Sequence, residues 1–231
     1  MELGSEEAAL YEALRQQALV RLAKVDDADG QKPFRILGEI MKLRRACCHP
    51  KLALPDTDLP GAKLVAFEEI LDELLENRHK ALVFSQFVDH LAIIRELLDR
   101  KGVAYQYLDG STPAPERKRN VDAFQAGQGD VFLISLKAGG LGLNLTAADF
   151  VIHMDPWWNP AVEDQASDRA HRIGQQRPVT IYRLVAQGTI EEKIVALHHQ
   201  KRDLAEQLLE GTGAGGRISA EDLLRLLQEA G

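Results

Sequence analysis

Cysteine is almost missing from this chain: two occur in 231 residues, the adjacent Cys47 and Cys48, with His49 directly behind them. Neighbouring cysteines rarely pair with each other, and two vicinal thiols beside one imidazole lack the usual zinc spacing. A disulfide scaffold and a zinc ribbon are therefore excluded, and the pair reads as buried structural side chains. No apolar run approaches the roughly 18 residues of a membrane span, and the opening MELGSEEAAL is acidic rather than signal-like. A membrane partner is excluded on that ground, and a cytoplasmic location is expected. A GxxxxGKS/T phosphate loop is absent, as is any strand-like run ending in an Asp-Glu pair that could hold magnesium. The one such pair, Asp72-Glu73, falls inside an amphipathic helical pattern and reads as surface charge.

What is present is an ordinary share of core-forming residues, 45% hydrophobic, enough for one large domain or a core domain with helical attachments. The formal net charge is −7, which by itself argues mildly against a nucleic-acid partner. The charge is segregated, however. Acidic residues crowd the N-terminal segment (Glu2, Glu6, Glu7, Glu12, Asp26, Asp27, Asp29), whereas basic ones gather at Arg117–Arg119 and from Arg169 to Arg183. A local basic face on an acidic chain stays open.

Leu10, Leu14, Leu19 and Leu22 give residues 5–25 helical spacing, and DDADGQKP (26–33) breaks that helix. A second helix is expected over 34–48, and the proline-rich 50–61 reads as a linker. Beyond 61 the pattern becomes strand–helix alternation. ALVFSQF (81–87), VAYQYL (103–108), VFLISL (131–136), FVIHMD (150–155) and VTIYRLV (179–185) read as strands. Helices are expected over 88–101, from 115, and from Pro160, with Ser111 or Thr112 available as a cap for the second of these. Buried strands alternating with helices imply an α/β fold: a parallel sheet with helices on both faces. Thr189 and Glu192 form a capping-box pattern opening a helix to about Leu209; GTGAGG (211–216) is a flexible linker, and a short helix closes the chain. The expected division is 1–60 helical segment and linker, 61–188 α/β lobe, and 189–231 C-terminal helices.

Three stretches carry candidate chemistry. In parallel sheets ligands bind at the carboxyl ends of strands. SLKAGGLGLNLTAAD (135–149) lies at such an end, where Gly139, Gly140 and Gly142 allow a close backbone approach to a phosphate or simply a tight connection. In MDPWWNP the two tryptophans are expensive to expose; residue chemistry alone favours packing for Trp158, with a contact to a base or sugar as the other reading. The helix opened by Asn159 and Pro160 is expected to run to Gly174, placing Gln165, Arg169 and Arg172 on one stripe about 60° wide. Charge chemistry alone favours pairing of those arginines with Glu163, Asp164 or Asp168. The rigid guanidinium fork also suits phosphate.

DQASDRAHRIGQQRPVTIYRLVAQGTIEEKI resembles, almost residue for residue, the last helicase motif of the Swi/Snf family of superfamily-two ATPases. The resemblance continues, in the family's order, through SLKAGGLGLNLTAADFVIHMDPWWNP, YQYLDGST, KALVFSQF and LRRACCHPKL. It covers nearly the whole chain and implies the second, C-terminal RecA-like lobe of a DNA-dependent ATPase that translocates on double-stranded DNA. It further implies an N-terminal RecA-like lobe as partner, which would hold ATP and Mg2+, and possible action on a protein–DNA complex at a nucleoid or in a nucleus. The helices before residue 60 would be the family's protrusion, and 189–209 the start of its brace.

By the same resemblance Arg169 and Arg172 face the γ-phosphate, Arg172 as the arginine finger, with Gln165 opening the motif. Gly140 would lie at the nucleotide. Lys137, Ala138 and Gly139 would lie towards DNA, and Ser85, Gln86, Asp109, Gly110 and Ser111 would follow its backbone, with Trp158 against the duplex. Leu136 departs from a frequent threonine and supplies no hydroxyl; Cys48 replaces a more usual asparagine. The competing readings are an RNA helicase lobe, against which the DRAHRIGQ spelling argues, and a non-catalytic docking module.

Overall fold

A computed structural model describes residues 1–24, 31–136, 138, 143–170, 177–197 and 220–228. Two compact units are present, one formed by Lys63–Leu184 and the other by Met1–Ala62 together with Val185–Gly231.

The Lys63–Leu184 unit is built on five strands: β1 (Ala81–Ser85), β2 (Tyr105–Leu108), β3 (Val131–Ser135), β4 (Phe150–His153) and β5 (Thr180–Arg183). All pairings are parallel, in the spatial order β2-β3-β1-β4-β5. The chain therefore adds strands on one side of β1 and then crosses to the other, making the β1–β4 boundary the point where strand order reverses. The five expected strands are these five, each one to three residues shorter than its apolar run. Burial follows position: every residue of β1 and β3 is buried, while β5, at the margin, exposes Thr180, Ile181 and Arg183. Strands covered on both faces need unbroken apolar runs, and ALVF and VFLI supply them.

Connections carry α4 (Val88–Lys101) between β1 and β2, α5 (Ala114–Gln125) between β2 and β3, and α6 (Pro160–Ser167) between β4 and β5. They are preceded by α3 (Ala62–Glu76). The α4 helix ends on Gly102 in the left-handed conformation, whose N–H returns to Asp99 and Leu98, a stop any side chain would strain. Ser111 and Thr112 do not cap α5: Pro113 holds that position, and both hydroxyls turn to Asp109 instead. The core gathers Leu82, Phe84, Phe124, Phe132, Ile134 and Val151. Each large side chain so buried contributes roughly 1.5–3 kcal/mol.

The other unit packs α1 (Ser5–Ala23), α2 (Lys32–Cys48) and α8 (Ala220–Gln228) against one another. Residues 190–197 form a helix, α7, at whose start Thr189 Oγ1 accepts from Glu191 N–H and Glu192 accepts from Gly188 N–H. The expected box is thus present with its partners shifted by one residue. The α1 helix ties both C-terminal helices. The Tyr11 hydroxyl accepts the Ile190 N–H at 2.7 Å, and Arg15 donates to the Leu227 carbonyl at 2.8 Å. Burial pushes the Tyr11 phenol above its ordinary value, so it stays protonated. The breaker at 26–30 and the GTGAGG linker lie outside the described residues. The stretch 50–61 is more than a linker: it opens with a 3-10 turn, Pro50–Leu52, capped by His49.

At the end of that stretch Gly61 has φ +81°, and a Cβ there would lie 2.6 Å from the His49 ring. Gly61→Ala should lower stability by about 1–3 kcal/mol in urea denaturation. Adding His49→Ala should recover only the part due to the clash, leaving the backbone strain.

Candidate functional site

A parallel sheet brings the carboxyl ends of all its strands to one edge, so the loops after β1, β2, β3 and β4 converge there. At the β1–β4 reversal Asp155 is fully buried; its carboxylate accepts from Ser85 Oγ at 2.5 Å and from the Gln86 N–H at 3.3 Å. The ladder continues beside it, with Met154 N–H donating to the Phe84 carbonyl. Ser85 is itself wholly buried, and its oxygen also accepts from Phe87 N–H. Ser85, expected along a DNA backbone by resemblance, is here buried with its hydroxyl donating to Asp155. Gln86 is buried as well, close to the same carboxylate.

After β2, Asp109 organises its own turn. One carboxylate oxygen accepts from the backbone and hydroxyl of both Ser111 and Thr112, and the other from Tyr107 Oη at 2.8 Å. Burial raises this carboxyl, but the bonds from Ser111 and Tyr107 outweigh it and hold it below the ordinary range. Asp109 therefore acts through the loop it shapes, while Gly110 and Ser111 are the exposed residues. Arg117, on α5, donates to the Thr112 and Ala138 carbonyls, both at 3.3 Å, tying the loop after β2 to that after β3. Sequence reading placed Arg117 only in a basic cluster; its spacing from DGST was the unused signal. Ala138 is buried and its N–H donates to Ser135 Oγ. Lys137, Gly139 and Gly140 lie outside the described residues.

After β4 both tryptophans are half-buried, Trp157 packing on the sheet's hydrophobic core. Asn159 caps α6 as expected, accepting from Ala161 N–H. The sequence offers Glu163 only as a surface partner for Arg169 or Arg172; its place in the fold is different. Glu163 is 1% exposed, accepts the Trp157 N–H at 2.7 Å, and pairs with Arg183 Nε at 2.9 Å.

The expected helix to Gly174 is corrected: α6 stops at Ser167. Beyond it Arg169 and Ala170 N–H groups bond three residues back rather than four, and the Arg169 carbonyl accepts from Leu145 N–H at 3.0 Å. Gln165 and Arg169 consequently do not share a stripe. Gln165 is exposed on α6, while Arg169 is 3% exposed, its guanidinium 5.8 Å from the Phe84 ring. Arg172 lies outside the described residues. Of the same basic span, Arg177 pairs with Asp149 and Arg183 with Glu163 and Asp164.

Asp109, Asp155 and Glu163 are the carboxylates set into this edge, and each is engaged by internal donors. They do not fit a magnesium site, which needs oxygens open to the ion and its waters. Gly110 and Ser111 are exposed at this edge, and Trp157 and Trp158 are half-buried just before α6.

Residues 62–174 match the family described as helicase conserved C-terminal domain. The chain is similar to the Sulfolobus solfataricus SWI2/SNF2 ATPase C-terminal domain, at 30% identity and TM-score 0.76, covering 97% of this chain and 94% of that one. It is also similar to the same organism's ATPase core in complex with dsDNA, at 31% identity and TM-score 0.77, covering 97% of this chain and 46% of that one. Among curated proteins, an uncharacterized ATP-dependent helicase of Mycoplasma pneumoniae is 38% identical over 99% of this chain. The mouse SWI/SNF-related matrix-associated actin-dependent regulator of chromatin subfamily A member 1 is 42% identical over 70% of it. The chain spans 22% and 17% of the length of these two relatives. The sheet and its helices have the RecA-like fold of those C-terminal domains.

His153, at the end of β4, bonds Ser167 Oγ at 2.9 Å and stacks on Phe84; burial lowers its pKa from 6.5 to about 4. The folded state therefore favours the neutral ring. Stability from this residue is complete above pH 6.5 and is lost as the unfolded chain takes up the proton between pH 6.5 and 4. The total loss is roughly 3 kcal/mol. Asp149, held below the ordinary carboxyl range because bonds from His79, Lys80 N–H and Arg177 outweigh its burial, adds a further loss at lower pH. Urea midpoints from pH 8 to 4 should show His153→Gln less stable at pH 8 yet with a shallower acid limb; an unchanged limb would exclude His153 as its source.

Proposed function

Because this chain belongs to the SWI2/SNF2 family of ATP-dependent helicases and carries the C-terminal helicase domain, we propose that it is the second motor lobe of an ATP-dependent double-stranded-DNA translocase. The observation that supports the reading is that the Asp109–Thr112 turn after β2, Ala138 just after β3 and the tryptophan pair after β4 all follow strand carboxyl ends, at one edge of the parallel sheet. Those segments form the surface that follows the DNA backbone, with Gly110, Ser111, Lys137 and Gly139 presenting it and Trp158 resting against the duplex.

The sequence holds no phosphate-loop motif, and Asp109, Asp155 and Glu163 are all engaged internally, so a partner RecA-like lobe supplies the ATP·Mg2+ site. Arg172 then enters that site from across the cleft and places positive charge against the γ-phosphate as it transfers. Gln165, exposed on α6, and Gly140 approach the same nucleotide. Arg169, buried against Phe84, anchors the segment from beneath. Cleft closure brings Arg172 into place, hydrolysis releases it, and alternating grip on DNA by the two lobes gives movement. The protein works where DNA is, at a nucleoid or in a nucleus, and protein–DNA complexes are its natural obstacles.

In the full-length protein Arg172→Ala should reduce duplex-stimulated ATP turnover by roughly 10²–10³-fold with ATP affinity within a few-fold of wild type. Turnover surviving within a few-fold would remove the finger assignment. The 231-residue chain alone should hydrolyse ATP negligibly, with or without DNA. Stimulation of the full-length protein by RNA rather than duplex DNA would instead favour an RNA helicase.

A further inference from the structure

Glu163 is a charged side chain placed where charge is expensive: it is 1% exposed on the first turns of α6. Both of its oxygens are used. Oε1 accepts the Trp157 N–H at 2.7 Å, and Oε2 pairs with Arg183 Nε at 2.9 Å. An ion pair between a buried carboxylate and the half-exposed Arg183 is a weak source of net stability, whereas it fixes geometry closely. The geometry fixed here joins three segments: the tryptophan loop after β4, the helix α6, and the end of β5. The opposite end of α6 leads through Ser167 to Arg169, whose guanidinium lies over Phe84 on β1. One short helix thus holds the tryptophan loop at its start and the arginine segment at its exit.

Resting on the translocase reading above, we propose that Glu163 is a positioning residue that couples the duplex contact of the tryptophan loop to the arginine segment through α6. Glu163 touches neither DNA nor nucleotide. A displacement of the Trp157 backbone by bound duplex is passed through the Trp157 N–H bond to Glu163 and so to the first turns of α6. Arg183 holds the carboxylate aimed, so that the bond transmits rather than absorbs the shift.

The chain's only two tryptophans are Trp157 and Trp158, so its intrinsic emission reports on this loop alone. In the 231-residue chain, Glu163→Ala should shift emission to the red and increase acrylamide quenching at temperatures well below melting. Glu163→Gln, which keeps an acceptor for the Trp157 N–H, should restore most of both. In the full-length protein Glu163→Ala should raise the duplex concentration for half-maximal ATPase stimulation about tenfold, with KM for ATP within twofold. Should Glu163→Ala fail to fold, Glu163→Gln and Arg183→Lys carry the test, each raising the half-saturating duplex concentration by a smaller factor. Unchanged emission, or parallel changes in the DNA and ATP constants, would reduce Glu163 to a structural role and overturn the proposal. A wild-type protein whose ATPase ignores duplex DNA would sink the translocase reading instead, leaving the emission result standing.

Discussion

Everything at this site depends on one constraint: a parallel sheet points all of its strand ends at a single edge, and the polar groups gathered there must be satisfied without water. Around the β1–β4 reversal this is done by carboxylates. Asp155 receives Ser85 and Gln86, Asp109 receives its own turn and Tyr107, and Glu163 receives Trp157 and Arg183. Each acid takes up several N–H and O–H donors, and a buried donor left unmade is destabilising by about 1–3 kcal/mol. The loops that reach outward are thus held from beneath by internally bonded acids.

This explains why the acidic balance of the chain says little about its partners. Among the described residues several arginines are matched with acids of the same chain. Arg15 is paired with Glu12, Arg177 with Asp149, and Arg183 with Glu163 and Asp164. Even the basic run on α5 divides its duties: Arg117 bridges two loops, whereas Lys118 and Arg119 form exposed pairs along the helix. Exposed pairs of that sort contribute little stability and are readily exchanged for another anion.

The strands and the helices α4 and α5 were legible because burial on both faces demands unbroken apolar runs and because Gly102 is a strong stop. The caps at Asn159 and near Thr189 were legible for similarly local reasons. What was not legible is tertiary. Helical geometry carried the pattern past Ser167, but a hydrogen bond from Leu145, distant in sequence, turns the Arg169 carbonyl out of the helix. Ser85 looks like a loop-facing hydroxyl until Asp155 claims it across the sheet. Glu163 was weighed only as a surface partner for Arg169 and Arg172, because nothing local shows that β5 delivers Arg183 to it. Family resemblance named segments, and only the fold shows which of their side chains are engaged internally, as Ser85 and Asp109 are.

The ties from α1 to α7 and α8 have a temporal consequence. The Lys63–Leu184 unit is contiguous in sequence, so its core can close while the chain is still emerging from the ribosome. The other unit draws on both ends of the chain, and Arg15 meets no Leu227 carbonyl until synthesis has passed the entire sheet. Until then the Tyr11 hydroxyl lacks the Ile190 N–H, and Arg15 holds only Glu12 of its own helix. Assembly is thus ordered by arrival: the sheet first, the helical unit last, with the long loop closure between Arg15 and α8 as the slow and exposed step.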